Sequence, residues 1–384
     1  MTVTAIICEY NPFHNGHKDL IDEARRLTDA DYIIAIMSGN FVQRAESAII
    51  DKWARTKACL RSGADMVVEI PCFASFAPAN LYAYYSVMTA CNLGVVDYLA
   101  FGSEEGMTPE KLSFYADKLD GNDEEFNKKL KESLDKGLSY AASISNACGF
   151  EPGPNDILGF EYTRALEKLN SNIKTVPIAR TSGQSVISAS KIREKIAQNS
   201  NDICNFMPAD SYNILEEERK AGRAPVLLNN FESAIIASLR TKSTDEIRLL
   251  PYVSEGLEYA IHKNVLAHGT LEKFISATTC ARYTSSRIRR ICIASLLGIK
   301  ATDLNHNPGF IKILGFRKNT GRLSDAISHA GHVPADTSLA KLAPADRHLA
   351  TLASLSTNIY SLGYPDPSNR TGDLEYTRSA IFEP

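Results

Sequence analysis

The stretch Ile6-Ile7-Cys8-Glu9-Tyr10-Asn11-Pro12-Phe13-His14-Asn15-Gly16-His17 decides the fold of the first part of this chain. It completes an apolar run from Val3 to Cys8, a pattern typical of a buried strand. The dipeptide Asn11-Pro12 ends a strand and starts a turn. From His17 onward, apolar residues recur at the spacing of an amphipathic helix as far as Leu27. The sequence therefore predicts a strand, a tight loop and a helix that begins at His17.

The tight loop holds two histidines, His14 and His17, on either side of Gly16. A helix N-terminus presents unpaired N–H groups and the positive end of a dipole, both of which suit a phosphate group. Two imidazoles beside it can donate hydrogen bonds to phosphate oxygens where charge develops during nucleotidyl transfer. A glycine leaves room for a nucleotide to approach the backbone. We therefore predict that His14 and His17 are catalytic residues of a nucleotide site.

A second polar group follows the predicted strand Ile173 to Ala179. Ser188 or Ser190 is expected to cap a helix that runs to about Gln198, with Lys191 and Arg193 in its first turns. Hydroxyls, free N–H groups and two cations at a helix start can hold a triphosphate. Taken alone, such a segment is more often an ordinary capped, solvated helix. Together with the two histidines it resembles the second motif of the HxGH nucleotidylyl transferase superfamily, so Lys191 and Arg193 are predicted to be catalytic and Ser188 to bind nucleotide.

Strands and helices alternate through the first 200 residues. Further strands are predicted at residues 32–37, 65–70 and 97–101, each followed by a turn or a helical pattern. This alternation predicts an α/β fold with a doubly wound, Rossmann-like parallel sheet, which binds ligands beyond the carboxyl ends of its strands. We assign residues 1–200 to this domain, with an insertion of two polar helices at about 107–150. Asn155 is expected to cap the helix that follows the insertion.

Beyond Pro208 helical patterns dominate, and we predict a mainly helical domain at residues 208–384. One of its helices carries Arg287, Arg289 and Arg290, and a basic turn follows a short strand that begins at Ile311. Arginine-rich helices commonly dock on phosphate backbones, so these three arginines are predicted to bind RNA. The alternative is a solvated helix face. The tail, residues 364–384, is expected to pack poorly.

Bulk properties limit the class of protein. The chain has 384 residues, 44% of them hydrophobic, and a formal net charge of −3, so any nucleic-acid binding must come from a local basic patch. Its eight cysteines form no C-x-x-C pair, which favours reduced thiols in a cytoplasmic protein. We expect no membrane span and no DNA partner. His329 and His332 lack a third ligand nearby, and no metal site is predicted in the protein itself.

Several strings resemble the tRNA(Met) cytidine acetate ligase family over most of the chain: Cys8 to His17, Met37-Ser38-Gly39-Asn40-Phe41-Val42-Gln43-Arg44, Pro154 to Leu158, and Ser286 to Arg290. The resemblance implies that ATP activates acetate as acetyl-adenylate, with release of pyrophosphate. The acetyl group then passes to the wobble cytidine of elongator tRNA(Met), which gives N4-acetylcytidine. Mg²⁺ is expected to accompany the triphosphate.

The resemblance also carries over a set of nucleotide-binding positions. They are Ile7, Cys8, Glu9, Tyr10, Asn11, Pro12, Phe13, His14, Asn15, Gly16, His17, Lys18, Asp19, Leu20, Gly102, Asn155 and Arg180. Two departures are visible, at Ala45 and Ser47, because the family usually reads Gly-Glu-Pro where this chain has Ala45-Glu46-Ser47. If the loop needs a glycine conformation, Ala45 would be strained or would reshape it.

Two other functions are compatible with parts of the sequence. The first domain alone would also suit an adenylyltransferase that joins AMP to a small phosphorylated metabolite, and the basic helical region argues against that function. A non-catalytic RNA-binding protein with a degenerate nucleotide fold is the other alternative. The presence of His14, Gly16, His17 and Arg193 argues against degeneration.

Overall fold

A computed structural model of the chain describes residues 1–138, 140–179, 187–198, 200–254 and 256–384. Arg180, which was predicted to bind nucleotide, lies outside the described residues. The strands are β1 Val3–Cys8, β2 Tyr32–Met37, β3 Phe41–Val42, β4 Glu46–Ser47, β5 Met66–Glu69, β6 Tyr98–Ser103, β7 Lys174–Ala179, β8 Ile311–Arg317, β9 Ala335–Asp336 and β10 Ile381–Glu383. The helices are α1 Asn15–Thr28, α2 Lys52–Arg61, α3 Ala79–Asn92, α4 Pro109–Asp117, α5 Glu124–Asp135, α6 Tyr140–Cys148, α7 Pro154–Lys168, α8 Ala189–Ala197, α9 Ala209–Lys220, α10 Glu232–Arg240, α11 Thr244–Arg248, α12 Leu257–Ala267, α13 Leu271–Thr278, α14 Ser285–Leu296, α15 Gly321–Ala330, α16 Leu339–Leu342, α17 Arg347–Ser361 and α18 Leu374–Thr377.

One eight-stranded sheet organises the molecule, in the order β10-β8-β5-β2-β1-β6-β7, with β9 paired to β8. The five strands from β5 to β7 run parallel. All six residues of β1 are buried, as expected of a central parallel strand covered by helices on both faces. The predicted doubly wound parallel sheet is therefore confirmed for this part of the fold.

Three strands of the sheet, β8, β9 and β10, come from the last quarter of the chain. β8 pairs antiparallel with β5, and β10 pairs parallel with β8. The helices α9 to α14 match the predicted helical region, but the sheet does not end near residue 200. The expectation of a poorly packed tail is correct only in part: most of its residues are exposed, but Tyr364 and Glu375 are buried and β10 pairs with β8 at the sheet edge. The division at residue 200 stays a prediction.

Helix boundaries differ from the sequence prediction in three places. α1 begins at Asn15, with His14 as its N-cap residue, and not at His17. α7 is capped by Gly153, so Asn155 is the second residue of the helix and not its cap. The insertion at 107–150 holds three helices, α4, α5 and α6, where two were predicted. In the first two cases the helix starts earlier because a residue upstream already has the extended cap conformation.

Two further expectations concern the whole chain. Within the described ranges, no helix combines the length and the apolar character that crossing a membrane requires. None of the eight cysteines, all of which lie in the described ranges, forms a disulfide bond, and four of them are buried.

The end of α3 packs directly against the end of α15, which joins the first part of the chain to the last. Gly94 has a φ of +70°, and a Cβ there would lie 2.0 Å from the carbonyl oxygen of Ala330. Next to it, the N–H of His332 donates to the carbonyl of Asn92 over 2.9 Å. The contact therefore needs both the left-handed conformation and the absence of a side chain at residue 94.

We expect Gly94→Ala to lower the free energy of unfolding by about 3 kcal/mol or more, because it adds a backbone clash to left-handed strain. Gly106→Ala is the matched control, since Gly106 has a φ of +60° and no atom lies within 4 Å of where the alanine methyl group would stand. That control should cost only the strain, about 1 kcal/mol. Urea unfolding of both variants measures the difference. Equal losses would contradict the packing argument.

Candidate active site

The loops at the carboxyl ends of β1, β2 and β6 meet at one edge of the sheet. The Tyr10–His14 loop follows β1, Ser38-Gly39-Asn40 follows β2, and Glu104 follows β6. The starts of α1 and α7 lie at the same edge because each helix follows one of these loops or packs against it. This is the position at which doubly wound sheets bind ligands.

His14 and His17 form a stacked pair at the start of α1. Their ring centroids are 3.7 Å apart with an angle of 19° between the planes. The N–H of His14 donates to Nδ1 of His17 over 3.2 Å, and the N–H of His17 donates to the carbonyl of His14 over 2.9 Å. An Nδ1 that accepts a hydrogen bond leaves Nε2 as the protonated nitrogen of a neutral imidazole. His17 therefore has a donor nitrogen on the side away from the backbone.

Buried aromatic rings pack against the inner side of the histidine loop. Tyr10 and Phe13 are buried with ring centroids 4.7 Å apart, and the His17 ring lies 4.9 Å from Tyr10 and 5.5 Å from Phe13. Asn11 is also buried, and its Oδ1 accepts from the N–H of Ile49 over 2.8 Å. These side chains shape the loop from inside the protein.

The remaining residues of the predicted nucleotide-binding run have different environments. Ile7, Cys8 and Pro12 are buried; Glu9, Asn15, Gly16 and Leu20 are partly exposed; Lys18 and Asp19 are exposed. Lys18 and Asp22 form an ion pair of 2.5 Å on the outer face of α1. The structure thus brings the run together as one loop and helix start, of which only part faces outward.

Arg55, a residue that sequence reasoning missed, joins the first two loops of the site. Its guanidinium is fully buried and donates to the carbonyls of Glu9 over 2.7 Å, of Ser38 over 3.0 Å and of Ile50 over 3.2 Å. It also donates to the carbonyl of Gly39. Burial lowers the pKa of Arg55 from its usual value. No sequence motif predicts this role, because backbone carbonyls accept whatever side chain they belong to.

Asn155 and Asp156 attach the start of α7 to the end of β6. Asn155 donates to the carboxylate of Glu104, both from its backbone N–H, over 3.1 Å, and from its side-chain amide. Asp156 is buried and accepts from Ser103 Oγ over 2.5 Å and from the N–H of Glu105 over 3.1 Å. Gly102 lies in β6, beside Ser103. Asp156 was also missed, and its place after Pro154-Asn155 is the only signal that could have indicated it.

The start of α8 approaches the histidine loop through Arg193. Ser188 caps the helix and accepts from the N–H of Lys191 over 3.4 Å, as predicted. Nη1 of Arg193 donates to the carbonyl of Asn11 over 2.9 Å. Lys191 is exposed at the same helix start. Arg193 therefore lies beside the loop that holds the two histidines, while Lys191 faces solvent.

The Ala45-Glu46-Ser47 segment keeps the conformation that a glycine would favour. Ala45 has a φ of +59° and is buried, so the expected backbone strain is present. Close by, the N–H of Arg44 donates to Oε1 of Glu9 over 3.3 Å. Burial raises the pKa of Glu9, although the nearby Arg44 and Arg193 act in the opposite direction.

Glu46 pairs with arginines from two different parts of the chain. Its Oε2 lies 3.1 Å from Nη2 of Arg193, and its Oε1 lies 3.5 Å from Nη1 of Arg289 on α14. The Glu46 side chain is 29% exposed, so both contacts are partly screened by solvent. Glu46 thus connects Arg193 of α8 with Arg289 of the arginine-rich helix α14.

The three arginines predicted to bind RNA have different surroundings. Arg290 donates to the carbonyls of Phe76 and Gln43, each over 2.9 Å, and Arg287 donates to the carbonyl of Tyr252 and to Ser254 Oγ, each over 2.7 Å. The Arg289 side chain is 41% exposed. The donors of Arg287 and Arg290 are thus used partly within the protein, which the arginine spacing alone could not indicate. RNA contacts by the three stay a prediction.

A buried charge cluster lies behind the Ser38-Gly39-Asn40 loop. Nζ of Lys52 contacts the two oxygens of Glu69 over 2.7 Å and 2.6 Å, and it contacts Glu375 from the tail. Burial disfavours the cation, but the two carboxylates outweigh it and raise the pKa of Lys52. The N–H of Lys52 donates to Oδ1 of Asn40 over 2.9 Å. The tail therefore supports this loop from inside.

Comparisons with known proteins give a consistent result. A profile of the family described as HIGH Nucleotidyl Transferase matches residues 1–375. The tRNA(Met) cytidine acetate ligase of Acetivibrio thermocellus is 34% identical over 415 aligned positions that cover all of both chains. The enzyme of the same name from Caldanaerobacter subterraneus is 35% identical, covering 95% of this chain and 96% of its own.

Solved structures are similar over the same length. A crystal structure of Thermotoga maritima TmcAL bound with alpha-thio ATP has a TM-score of 0.91 and 32% sequence identity, and the match covers all of both chains. An apo structure of the same Thermotoga maritima protein gives the same values.

We expect Arg55→Met to lower the free energy of unfolding by about 3 kcal/mol, because it leaves buried carbonyls without donors. Arg61→Met on the same helix is the matched control: Arg61 is a surface cation paired with Glu383 over 3.1 Å, and its loss should cost less than about 1 kcal/mol. Denaturant unfolding of the two variants measures this. Similar losses would show that Arg55 does not hold the two loops together.

Proposed function

We propose that this chain, which belongs to the tRNA(Met) cytidine acetate ligase family of HIGH nucleotidyl transferases, activates acetate with ATP and transfers the acetyl group to a cytidine of tRNA(Met). In the first step acetate attacks the α-phosphate, and acetyl-adenylate and pyrophosphate form. In the second step the exocyclic amine of the wobble cytidine attacks the acetyl carbonyl, and AMP leaves. N4-acetylcytidine in elongator tRNA(Met) is the product.

The observation that carries this proposal is the stacked histidine pair at the start of α1, with Arg193 beside it. The helix start offers unpaired N–H groups to phosphate. In a transfer of this kind the protein has little covalent work to do, so positioning and charge stabilisation supply most of the rate. His14 and His17 lie together where donors to a crowded α-phosphate are needed.

The proposal gives a role to each side chain predicted to bind the triphosphate. His17 would donate from Nε2 to an α-phosphate oxygen, because its Nδ1 is held by the backbone of His14. Arg193, Lys191 and Arg180 would bind the β- and γ-phosphates as they leave as pyrophosphate. Arg55 and the buried aromatic rings would hold the loops in position and would not touch the substrate.

Mg²⁺ is part of the proposal only as the companion of ATP. In the parts of the chain that the structure describes, no group of three or more His, Cys, Asp or Glu side chains could hold a metal ion. The residues at the proposed phosphate site are mainly histidine and cationic side chains, which suit phosphate better than they suit Mg²⁺. The ion would therefore be bound by phosphate oxygens and water, and would offset their charge.

The tRNA would approach from the side of α14. Arg289 presents a partly exposed guanidinium there, and its contact with Glu46 places it next to the proposed phosphate site. A wobble base must leave the anticodon stack to reach the adenylate, as sequence-specific RNA recognition commonly requires. The reaction would take place in the cytoplasm, where its tRNA substrate is found.

ATP–pyrophosphate exchange tests the reaction class. We expect labelled pyrophosphate to enter ATP only when acetate is present, because acetyl-adenylate formation is the reversible step. Propionate and no-carboxylate controls, each with and without tRNA(Met), complete the measurement. Exchange without any carboxylate, or its absence under every condition, would contradict the ligase and favour an adenylyltransferase that uses a phosphorylated metabolite.

His17→Ala should lower the acetate-dependent exchange rate by about 100-fold to 1,000-fold, the usual effect of removing one donor to a transition-state charge. Its tRNA affinity should remain within about twofold of the original. His329→Ala is the control, since His329 is an exposed histidine bonded to the carbonyl of Asp325. An unchanged exchange rate in His17→Ala would remove His17 from the mechanism.

Arg289→Ala should weaken tRNA binding and lower the slope of log Kd against log salt concentration by about 1, the effect of one lost phosphate contact. Arg290→Ala provides the comparison, because its guanidinium is bonded to the carbonyls of Phe76 and Gln43. We expect that variant to lose stability instead, with its salt slope unchanged. If Arg289→Ala leaves the salt slope unaltered, the arginines of α14 form an ordinary solvated helix face and do not bind RNA.

A further inference from the structure

Glu46 lies beside the proposed phosphate site, and the proposed mechanism gives it no role. It lies at the edge of the site, in the short strand β4, and shares its two oxygens between Arg193 and Arg289. The contact with Arg193 is the shorter, 3.1 Å against 3.5 Å. Arg193 also donates to the carbonyl of Asn11 and to Ser190 Oγ, so its guanidinium is held on the histidine-loop side of Glu46.

The two arginines belong to opposite sides of the proposed reaction. Arg193 faces the loop where the triphosphate would bind, and Arg289 lies on the helix where the tRNA backbone would bind. Among the described residues, Glu46 is the one acidic side chain that forms an ion pair with Arg289. A single negative charge is thus balanced by two cations, each of which has a phosphate ligand in the proposal.

We propose that Glu46 is a positioning residue that makes ATP and tRNA oppose each other's binding; this inference rests on the proposed function. When the β- and γ-phosphates draw Arg193 toward them, Glu46 loses its nearer cation and pairs with Arg289 alone. Arg289 then offers less positive charge to an RNA phosphate. In the opposite direction, an RNA phosphate on Arg289 leaves Glu46 to Arg193, which weakens its hold on the triphosphate.

The same contacts give the reaction an order. Once acetyl-adenylate has formed and pyrophosphate has left, nothing holds Arg193 away from Glu46. Arg193 returns to the carboxylate, and Arg289 becomes available to the tRNA. The tRNA therefore binds best after the acetate has been activated, and least well while the triphosphate is still intact.

The size of the effect follows from the exposure of the groups. Partly exposed ion pairs contribute little to binding or stability, and the loss of one changes an equilibrium constant by a factor of about two to five. We therefore expect ATP to weaken tRNA binding roughly threefold. Because coupling between two ligands is reciprocal, tRNA must weaken ATP binding by the same factor.

Fluorescence anisotropy of labelled tRNA(Met) measures this coupling, in Mg²⁺ buffer without acetate so that no turnover occurs. For the unchanged protein, saturating ATP should raise the Kd for tRNA about threefold. AMP at the same ionic strength should leave the Kd unchanged, because it has no β- or γ-phosphate to reach Arg193. A Kd that does not respond to ATP would overturn the inference.

Glu46→Gln removes the charge and nearly keeps the shape, and in this variant the ratio of the two Kd values should fall to about one. Glu217→Gln is the matched control: Glu217 is also a solvent-accessible carboxylate in an ion pair, with Lys57 over 3.1 Å, but it contacts neither arginine. It should keep the threefold ratio. Retention of that ratio in Glu46→Gln would also overturn the inference.

A second variant tests the inference independently, so that the test remains valid if Glu46→Gln does not fold. Arg289→Ala removes the RNA-side partner of Glu46 and should likewise abolish the response to ATP, although its tRNA affinity is lower at the start. Pyrophosphate exchange of the unchanged protein in the same preparation separates the two proposals. Acetate-dependent exchange without ATP–tRNA coupling would contradict only the role of Glu46, whereas a lack of exchange would contradict the proposed function itself.

Discussion

The cation of Arg55, buried beneath the strand ends, is the constraint on which the rest of the site depends. A guanidinium without water is costly unless its donors are satisfied, and here backbone carbonyls of the loops after β1 and β2 satisfy them. The two loops can therefore not move apart without exposing an unpaired charge. The histidine pair inherits this rigidity, since it follows directly on the loop that Arg55 holds. Preorganised donors of this kind need no rearrangement when charge develops.

The arginine-rich helix α14, in the second part of the chain, is held in the same way, by an arginine that donates to backbone carbonyls. Arg290 bonds to the carbonyl of Gln43, in the turn between β3 and β4, and to the carbonyl of Phe76, in the loop after β5. These bonds fix α14 against the edge of the sheet at which nucleotide would bind. The surface proposed for RNA is thus attached by these bonds to the loops at the proposed adenylation site.

The sequence predicts the local pattern well and the long-range contacts poorly. The alternation of apolar runs with helical spacing indicated β1, β2, β5 and β6, because the residues of these strands are mostly buried inside the sheet. It also indicated β7, an edge strand of which only Ile178 is buried. Nothing in the sequence indicated that β8 and β10 would add to the sheet edge, or that Glu375 would meet Lys52, since pairings over such separations leave no local periodicity. The site was predicted where a motif supplies the chemistry, as with the two histidines. Residues such as Arg55 and Asp156 were missed because their partners are mostly backbone groups, which any sequence provides.

The position of Glu375 also has a consequence for how the protein is made. Lys52 is buried between Glu69 and Glu375, and Glu375 leaves the ribosome 323 residues after Lys52. Until then the segment behind the Ser38-Gly39-Asn40 loop lacks its second carboxylate, and until β8 emerges the edge of β5 lacks its antiparallel neighbour. For most of its synthesis the nascent chain therefore exposes the unpaired edge of β5, to which a chaperone can bind.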